Sequence, residues 1–463
     1  MGMTINNLTT LSLLNVLSRT TQAQESVMSR MSTGRRINRG ADDPAGLLSL
    51  TKLNSEVTGV NAAINSNQRT DTVLSVADGA LTQIGTLLDD IQRLANETAN
   101  DAALTAEEKV ANQAQIDDAL ASIDRIISST QFNGQKLLDG SLGISVSTTD
   151  TKITDVRVYS RKSGTTDTSL SVKITAAASY AAASQVMTTS AAATINFSVQ
   201  GKTGTAVITV AAGDKVSAVA YKINQAKTQT GVSAAVNASN TNLRLYSTAY
   251  GSDAFLRTKL LEGSGVSDKY DTGADAKVTV NGQTAAVDGK TVSFISNGSS
   301  LTFEIASAFA VNDTVTLAVK GSGGATFQLG TATTTLATIG IDGVYTANLG
   351  TKTDGYLSSV ASGGTNSVLN NPSAAASVAA IASRQISQLQ GRLGGFQKFQ
   401  VRTALASLSD VKQGLEKARS VINDVDYAVE SAELNRQNIL LQSAMSLLGL
   451  ANQQSSQVLS LLR

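Results

Sequence analysis

LSDVKQGLEKARSVINDVDYAVESA, residues 408–432, places Leu408, Val411, Leu415, Ala418, Ile422, Val425, Val429 and Ala432 at alternating three- and four-residue steps. This spacing keeps a narrow apolar seam on one side of a helix, the pattern of coiled-coil packing rather than of a globular-domain helix. Around it, the run from Ser377 to Arg463 contains no Pro, and a second seam continues through Leu440, Ala444, Leu447, Ala451, Val458 and Leu462. The pattern predicts a long helix that needs a partner from the rest of the sequence.

The N-terminal part offers partners. Residues 4–33 read as helix, with Leu14, Leu17, Met28 and Met31 on a seam that Thr21 and Gln24 weaken in its middle. From about Pro44 to Asn100, Leu74, Ala77, Leu81, Ile84, Leu88, Ile91 and Ala95 repeat the three/four alternation. A shorter helix starts at the capping sequence after Thr105 and runs through Ile116, Leu120, Ile123 and Ile127 to Ser129. Pairing of Leu81, Ile84, Leu88 and Ile91 with Leu408, Val411, Leu415 and Ile422 would close a bundle within one chain.

Between the first two helices lies STGRRINRGADDPAG, residues 32–46. Gly34 and Gly40 lower helix propensity, and Asp43-Pro44 is a cap followed by a helix-starting proline. Arg35, Arg36, Asp42 and Asp43 therefore read as caps and ion-pair partners in a joint, not as catalytic groups. The acidic doublets Asp89-Asp90 and Asp117-Asp118 read as solvated.

From Ile144 the texture changes. Ile144–Ser147, 154–159 and 170–174 read as hairpin strands, 195–262 as a small unit with a helix near 215–226, and a further strand-rich unit starts near Ala276. The strands give out around 350–371, and Pro372-Ser373 introduces the terminal helices. The fold class is thus α+β: long terminal helices in a coiled-coil or bundle rod, with strand-rich outer domains inserted in the middle.

Composition narrows the function. Of 463 residues, 41% are hydrophobic and 4% aromatic, so cores are built from aliphatic and small side chains. A net charge of +1 sets up no field for nucleic acid or an anionic membrane, and the basic residues are scattered without aromatic interleaving. With neither His nor Cys, zinc and thiol chemistry lose their usual groups, so no enzyme activity, metal or cofactor is expected. The first residues lack the basic start and continuous apolar core of a cleaved secretory signal, and no window reaches the roughly 18 apolar residues of a membrane span. Any export is expected to read something else.

The terminal regions resemble bacterial flagellin, the flagellar filament subunit. The likeness rests on STGRRINRGADDPAG, on STQFNGQKLLDG at 129–140, and on VDYAVESAELNRQNIL and ANQQSSQVLSLLR near the C-terminus, and it covers roughly residues 1–140 and 375–463. It implies an inner-tube helical domain from 1–43 and 421–463, and a rod domain of long helices and β-hairpins from 44–175 and 345–420. Residues 176–264 would form an outer α/β domain similar to an insert of some flagellins, and 265–344 a second, strand-rich outer domain. Inner-tube packing between subunits would fall to Leu8, Leu14, Leu17, Leu440, Leu447, Leu448, Val458 and Leu462, and the doublets Leu440-Leu441 and Leu447-Leu448 indeed give that segment more than one apolar face. Arg35, Arg36, Asp42 and Asp43 would lie at the joint between inner and rod domains.

The partners that this resemblance implies are other copies of the chain in a helical homopolymer. They also include the flagellar export apparatus, an export chaperone, the filament cap and the hook-associated junction proteins. The location implied is secreted and extracellular, in the filament. The stretch LLDDIQRLANETAN, 87–100, resembles the segment that the flagellin-sensing Toll-like receptor grips, but Asp90 and Arg93 reverse the charges of stimulatory members, so weak recognition is expected. A hook–filament junction protein is the alternative. A zinc peptidase in the insert would need histidines, and 176–345 shows no aromatic platform for glycans.

Overall fold

The computed structural model describes residues 8–461 apart from 101–103, 148–149, 162–165, 187–193, 237–241, 297, 307–308 and 353. Its helices are α1 (Leu8–Thr33), α2 (Pro44–Thr98), α3 (Ala106–Ser129), α4 (Val216–Gln225), α5 (Lys227–Thr230), α6 (Pro372–Phe396), α7 (Arg402–Asn423) and α8 (Tyr427–Leu461). The strands lie between α3 and α6. Chain contacts divide the molecule into two units: Met1–Thr70 with Gln328–Thr335 and Phe399–Arg463, and Asp71–Phe327 with Leu336–Lys398.

In the first unit α1 and α8 run antiparallel, with Gln24 donating to Asn438 at 2.8 Å and Arg30 bound to Glu430. The seam between them is thin: among the described residues, Thr20, Val27, Gln437 and Ala444 are the buried side chains of the two helices. Leu408 of α7, with Leu415 beside it, packs on Val60, Ala63 and Ile64 of α2.

The C-terminal run is not one helix. It departs from α geometry at the π turn Gln397–Val401 and breaks at Asp424–Asp426. The break has a local cause. The Asp426 carboxylate accepts the N–H groups of Ala428 and Val429 at the start of α8. The chain before it pairs with the joint, Arg36 N–H donating to Asn423 O at 2.6 Å and Val425 N–H to Gly34 O at 3.2 Å. Val425, expected on the seam, is therefore in an extended link.

The seam's partners also differ from the expected ones. In the second unit Asp89, Thr82 and Ser75 of α2 bond to Ser383, Gln390 and Gln397. These contacts step by seven residues in opposite directions, an antiparallel heptad register. The stretch of α2 that holds Leu81, Ile84, Leu88 and Ile91, all at 0% exposure, therefore lies along α6, whose Val378, Ala382, Ile386, Leu389 and Leu393 are also buried. It does not lie along Leu408, Val411, Leu415 and Ile422. Of these Leu408 alone is buried, and Val411 is 47% exposed.

The strand-rich middle forms two cores. One, at 181–266, joins the antiparallel sheet 269–272, 255–262, 195–201, 204–210 to the sheet 182–186, 242–247, 232–236 and to α4, around Phe197, Leu245 and Leu256. The other packs a five-stranded and a six-stranded antiparallel sheet around Val172, Leu317 and Phe303. Here the sequence expectation fails twice. Strands 153–161 and 168–176 do not pair with each other: the first lies between 299–305 and 336–339, the second between 277–280 and 314–323. Nor is 265–344 a separate domain, because its strands share sheets with 144–176 while 269–272 completes the insert's sheet.

The segment from 340 to 371 is pinned to α3 by polar side chains. Gln113 donates to Val360 O and accepts from Val368 N–H, and Asp124 accepts from the Thr346 N–H and hydroxyl. Asp117, expected to be solvated, accepts from the Ser362 N–H and hydroxyl.

Candidate assembly surfaces

At the joint the four predicted residues serve as backbone partners. Asp42 accepts the N–H groups of Asn38 and Arg39 at 2.9 and 2.8 Å, and these donors hold its carboxyl below the usual carboxylate range. Asp43 accepts Gly46 N–H at 2.8 Å and caps α2, as the Asp-Pro start predicts. Arg36 donates through Nε to Ile422 O at 3.0 Å, and the backbone of Arg35 forms a β-bridge with Asp424.

The joint's ion pair is Arg30–Glu430, which the sequence reading missed. Both guanidinium contacts are short, 2.7 and 3.0 Å, and the side chains are only 25% and 12% exposed. The Glu430 hydrogen bond raises the Arg30 pKa. A separation of 400 residues left no local signal to find it. One turn further on, Arg436 and Gln437 both donate to Glu433, pulling its pKa down to about 2.

The paired terminal helices leave large apolar side chains uncovered. Leu14 is 47% exposed, Leu440 43% and Leu447 52%, while Leu17 and Leu448 are half-buried. Leu11, Ile439 and Leu450 add to the same exposed set. Leu8 and Val458 lie in helix with side chains outside the described residues, and Leu462 lies outside them altogether. Contiguous apolar surface of this kind is costly to leave in water.

On α2, Arg93 bridges Asp90 at 3.4 Å and Glu97 at 3.0 Å, each side chain about half exposed. The two positions singled out in the sequence thus belong to one charge ladder. In the middle of the chain three tyrosines meet, tilted and edge-on rather than as a flat platform. Tyr180 lies 5.5 Å from Tyr250 and 6.0 Å from Tyr246, and the Lys290 amine sits over the Tyr250 ring. Tertiary pairing of 179 with 274 and of 182–186 with 242–246 brings these tyrosines together. Among the described residues no helix is long and apolar enough to cross a membrane.

Comparison with known proteins finds flagellin regions at both ends of the chain and in its middle. The bacterial flagellin N-terminal helical region matches residues 5–142, the flagellin C-terminal helical region 377–462, and the flagellin hook IN motif 194–249. The flagellin of Clostridium tyrobutyricum is 28% identical over 92% of this chain and 93% of its own length. That of Salmonella typhimurium is 28% identical over 99% of both. Among solved structures, the flagellar cap protein of Bdellovibrio bacteriovorus matches at TM-score 0.27 and 15% identity, over 38% of this chain and 99% of that one, too slight a likeness to place any element. With both helical regions in order at the two ends and full-length relatives between them, the chain belongs to the bacterial flagellin family.

Proposed function

We infer that the chain polymerises through its paired terminal helices into the extracellular flagellar filament that drives swimming. The filament role follows from the family, and full-length flagellin relatives do not favour the hook-junction alternative. The observation that carries the mechanism is the row of exposed leucines on α1 and α8, beside a seam too thin to cover them. Residues 1–43 and 421–463 would line the inner tube, with α1 and α8 of neighbouring subunits covering Leu14, Leu440 and Leu447. The family is structural, and a chain without His or Cys lacks the usual zinc ligands and thiol nucleophile.

The same reading supplies the remaining partners: the export apparatus, a chaperone on the C-terminal helix, the cap and the hook-associated junction proteins. It also predicts weak grip by the flagellin-sensing Toll-like receptor, since the Asp90–Arg93–Glu97 ladder presents reversed charges and already satisfies Arg93 within the chain. Seeded purified protein observed by electron microscopy tests the polymer: long filaments are expected, and monomer or short stubs would overturn the reading. For the receptor, signalling from a reporter cell equal to that of a stimulatory flagellin would overturn the expectation of weak response.

A further inference from the structure

Where the two β cores meet, the second unit holds a cavity of about 240 Å³ whose walls differ in chemistry. Its floor is Ile174, Ala276, Ile305 and Phe309, buried members of the core built on Val172, Leu317 and Phe303. Those four side chains carry no polar atom. Tyr180 and Tyr250 close one side, edge to face with ring centroids 5.5 Å apart. Lys290 also lines the cavity, and its Nζ lies 3.6 Å from the centre of the Tyr250 ring. A neutral ring steadies the ammonium without cancelling its charge. Tyr250 and Lys290 are half-buried, and Tyr180 and Ala177 are exposed, so the cavity opens to solvent on this side.

The backbone sets these groups in place before any ligand arrives. Ser179 bridges Ala274, and Gly251 N–H donates to Ser179 O at 3.1 Å, which seats both tyrosines beside the floor. Ala276 N–H donates to Gly289 O at 3.1 Å and Ile305 N–H to Lys290 O at 3.0 Å, tying the lysine to the same frame. A preformed site loses little binding energy to ordering itself. The wall chemistry selects the occupant. A cavity of roughly 150 Å³ takes a benzene ring, so there is room here for one ring and a short acidic arm. Sugar hydroxyls would give up water against a floor that offers them no hydrogen bond. A cation would meet the charge of Lys290. We propose that this cavity binds a small carboxylate with an apolar, single-ring body, the ring lying between the floor and the two tyrosines and the carboxylate on Lys290.

Phenylacetate titrated into the full chain, followed by saturation-transfer NMR and calorimetry, tests this. Saturable one-to-one binding at about 1 mM or tighter is expected, the range for a ligand of about ten non-hydrogen atoms. Neutral phenylacetamide should bind at least about tenfold more weakly, because the charge-assisted bond to Lys290 is lost. Lys290→Met keeps the apolar stem and should bring the two probes to equal affinity. Ala177→Phe, at an exposed position on the cavity wall, should block phenylacetate with the melting temperature of the free chain unchanged. Phenylacetate that does not saturate, or that binds Ala177→Phe as it binds the unaltered chain, overturns the proposal. So does a preference for acid over amide that survives in Lys290→Met. Glucose binding more tightly than phenylacetate would overturn it in favour of a sugar site. Should Lys290→Met fail to fold, the acid-to-amide ratio in the unaltered chain and the Ala177→Phe result decide between the same outcomes.

Discussion

Gly251 and Gly289 show how single residues fix the joint between the two β cores. Gly251 has φ +106°, and a Cβ there would lie 2.7 Å from Gly289 Cα and 2.6 Å from the Asp275 carboxylate. That carboxylate ties the same place together, accepting from the Ser252 N–H and hydroxyl and from Gly289 N–H. Gly251→Ala is therefore expected to lose at least about 1–3 kcal/mol through backbone strain and steric contact, visible as a lower melting temperature. The same variant in a flexible turn would change little. At the other end of the chain Glu433 gives a pH dependence. Its folded pKa, about 2, lies below its ordinary 4.5, so its contribution is fully present above pH 4.5 and is lost as pH falls through about 2. The stability difference between wild type and Glu433→Gln should be constant near neutrality and vanish in that acid window. A difference that persists at pH 1.5 would contradict the assignment.

At the scale of elements, caps and helix starts were legible and long-range partners were not. The Thr105 start is a full capping box, with Thr105 Oγ1 accepting Glu108 N–H and Glu108 returning a bond to Thr105 N–H. Thr105→Ala should accordingly cost about 1 kcal/mol in thermal unfolding. Asn281-Gly282 likewise turns one strand back on the next with both φ values positive, as an Asn-Gly pair requires. These signals act within a few residues, so the sequence carries them openly. Strand 153–161 instead finds its neighbours at 299–305 and 336–339, and nothing in an alternating pattern states which distant strand will pair. The break at Asp424–Asp426 was hidden for a different reason. Its apolar spacing continues a seam, while its carboxylates act as caps, and local capping won because the link also pairs with the joint. The corrected pairing can be tested on α2. Leu88 is at 0% exposure, on the stretch alongside α6, so Leu88→Ala should lose about 2–5 kcal/mol. Val411→Ala, on the expected partner helix but 47% exposed, should lose much less.

At the scale of the whole molecule, the ends that the sequence marked as partner-seeking keep that character after folding. Among the described residues, Thr20, Val27, Gln437 and Ala444 are the buried side chains of α1 and α8, and Leu11, Leu14, Ile439, Leu440, Leu447 and Leu450 stay exposed. Of the candidate joint residues Asp43 caps α2 as its sequence reads, while Asp42 and Arg36 bond to backbone groups rather than pairing as ions, because a tight turn has more unpaired N–H and C=O groups than free charges. The apolar face gives the sharpest test of how assembly is driven. Leu440 and Leu447 are one heptad apart on α8 and 43% and 52% exposed, so about half of each side chain is left uncovered in the single chain. Covering the exposed part of each by a neighbour is worth about 1 kcal/mol. The double variant Leu440→Ser, Leu447→Ser should then raise the monomer concentration in equilibrium with filament by about 30-fold, the equivalent of about 2 kcal/mol beyond any loss of monomer stability, which thermal unfolding of the single chain measures separately. Sedimentation of seeded filaments at a series of total concentrations measures this directly. An unchanged critical concentration would mean that these leucines face solvent in the filament as they do in the single chain, and that other side chains of α1 and α8 drive assembly.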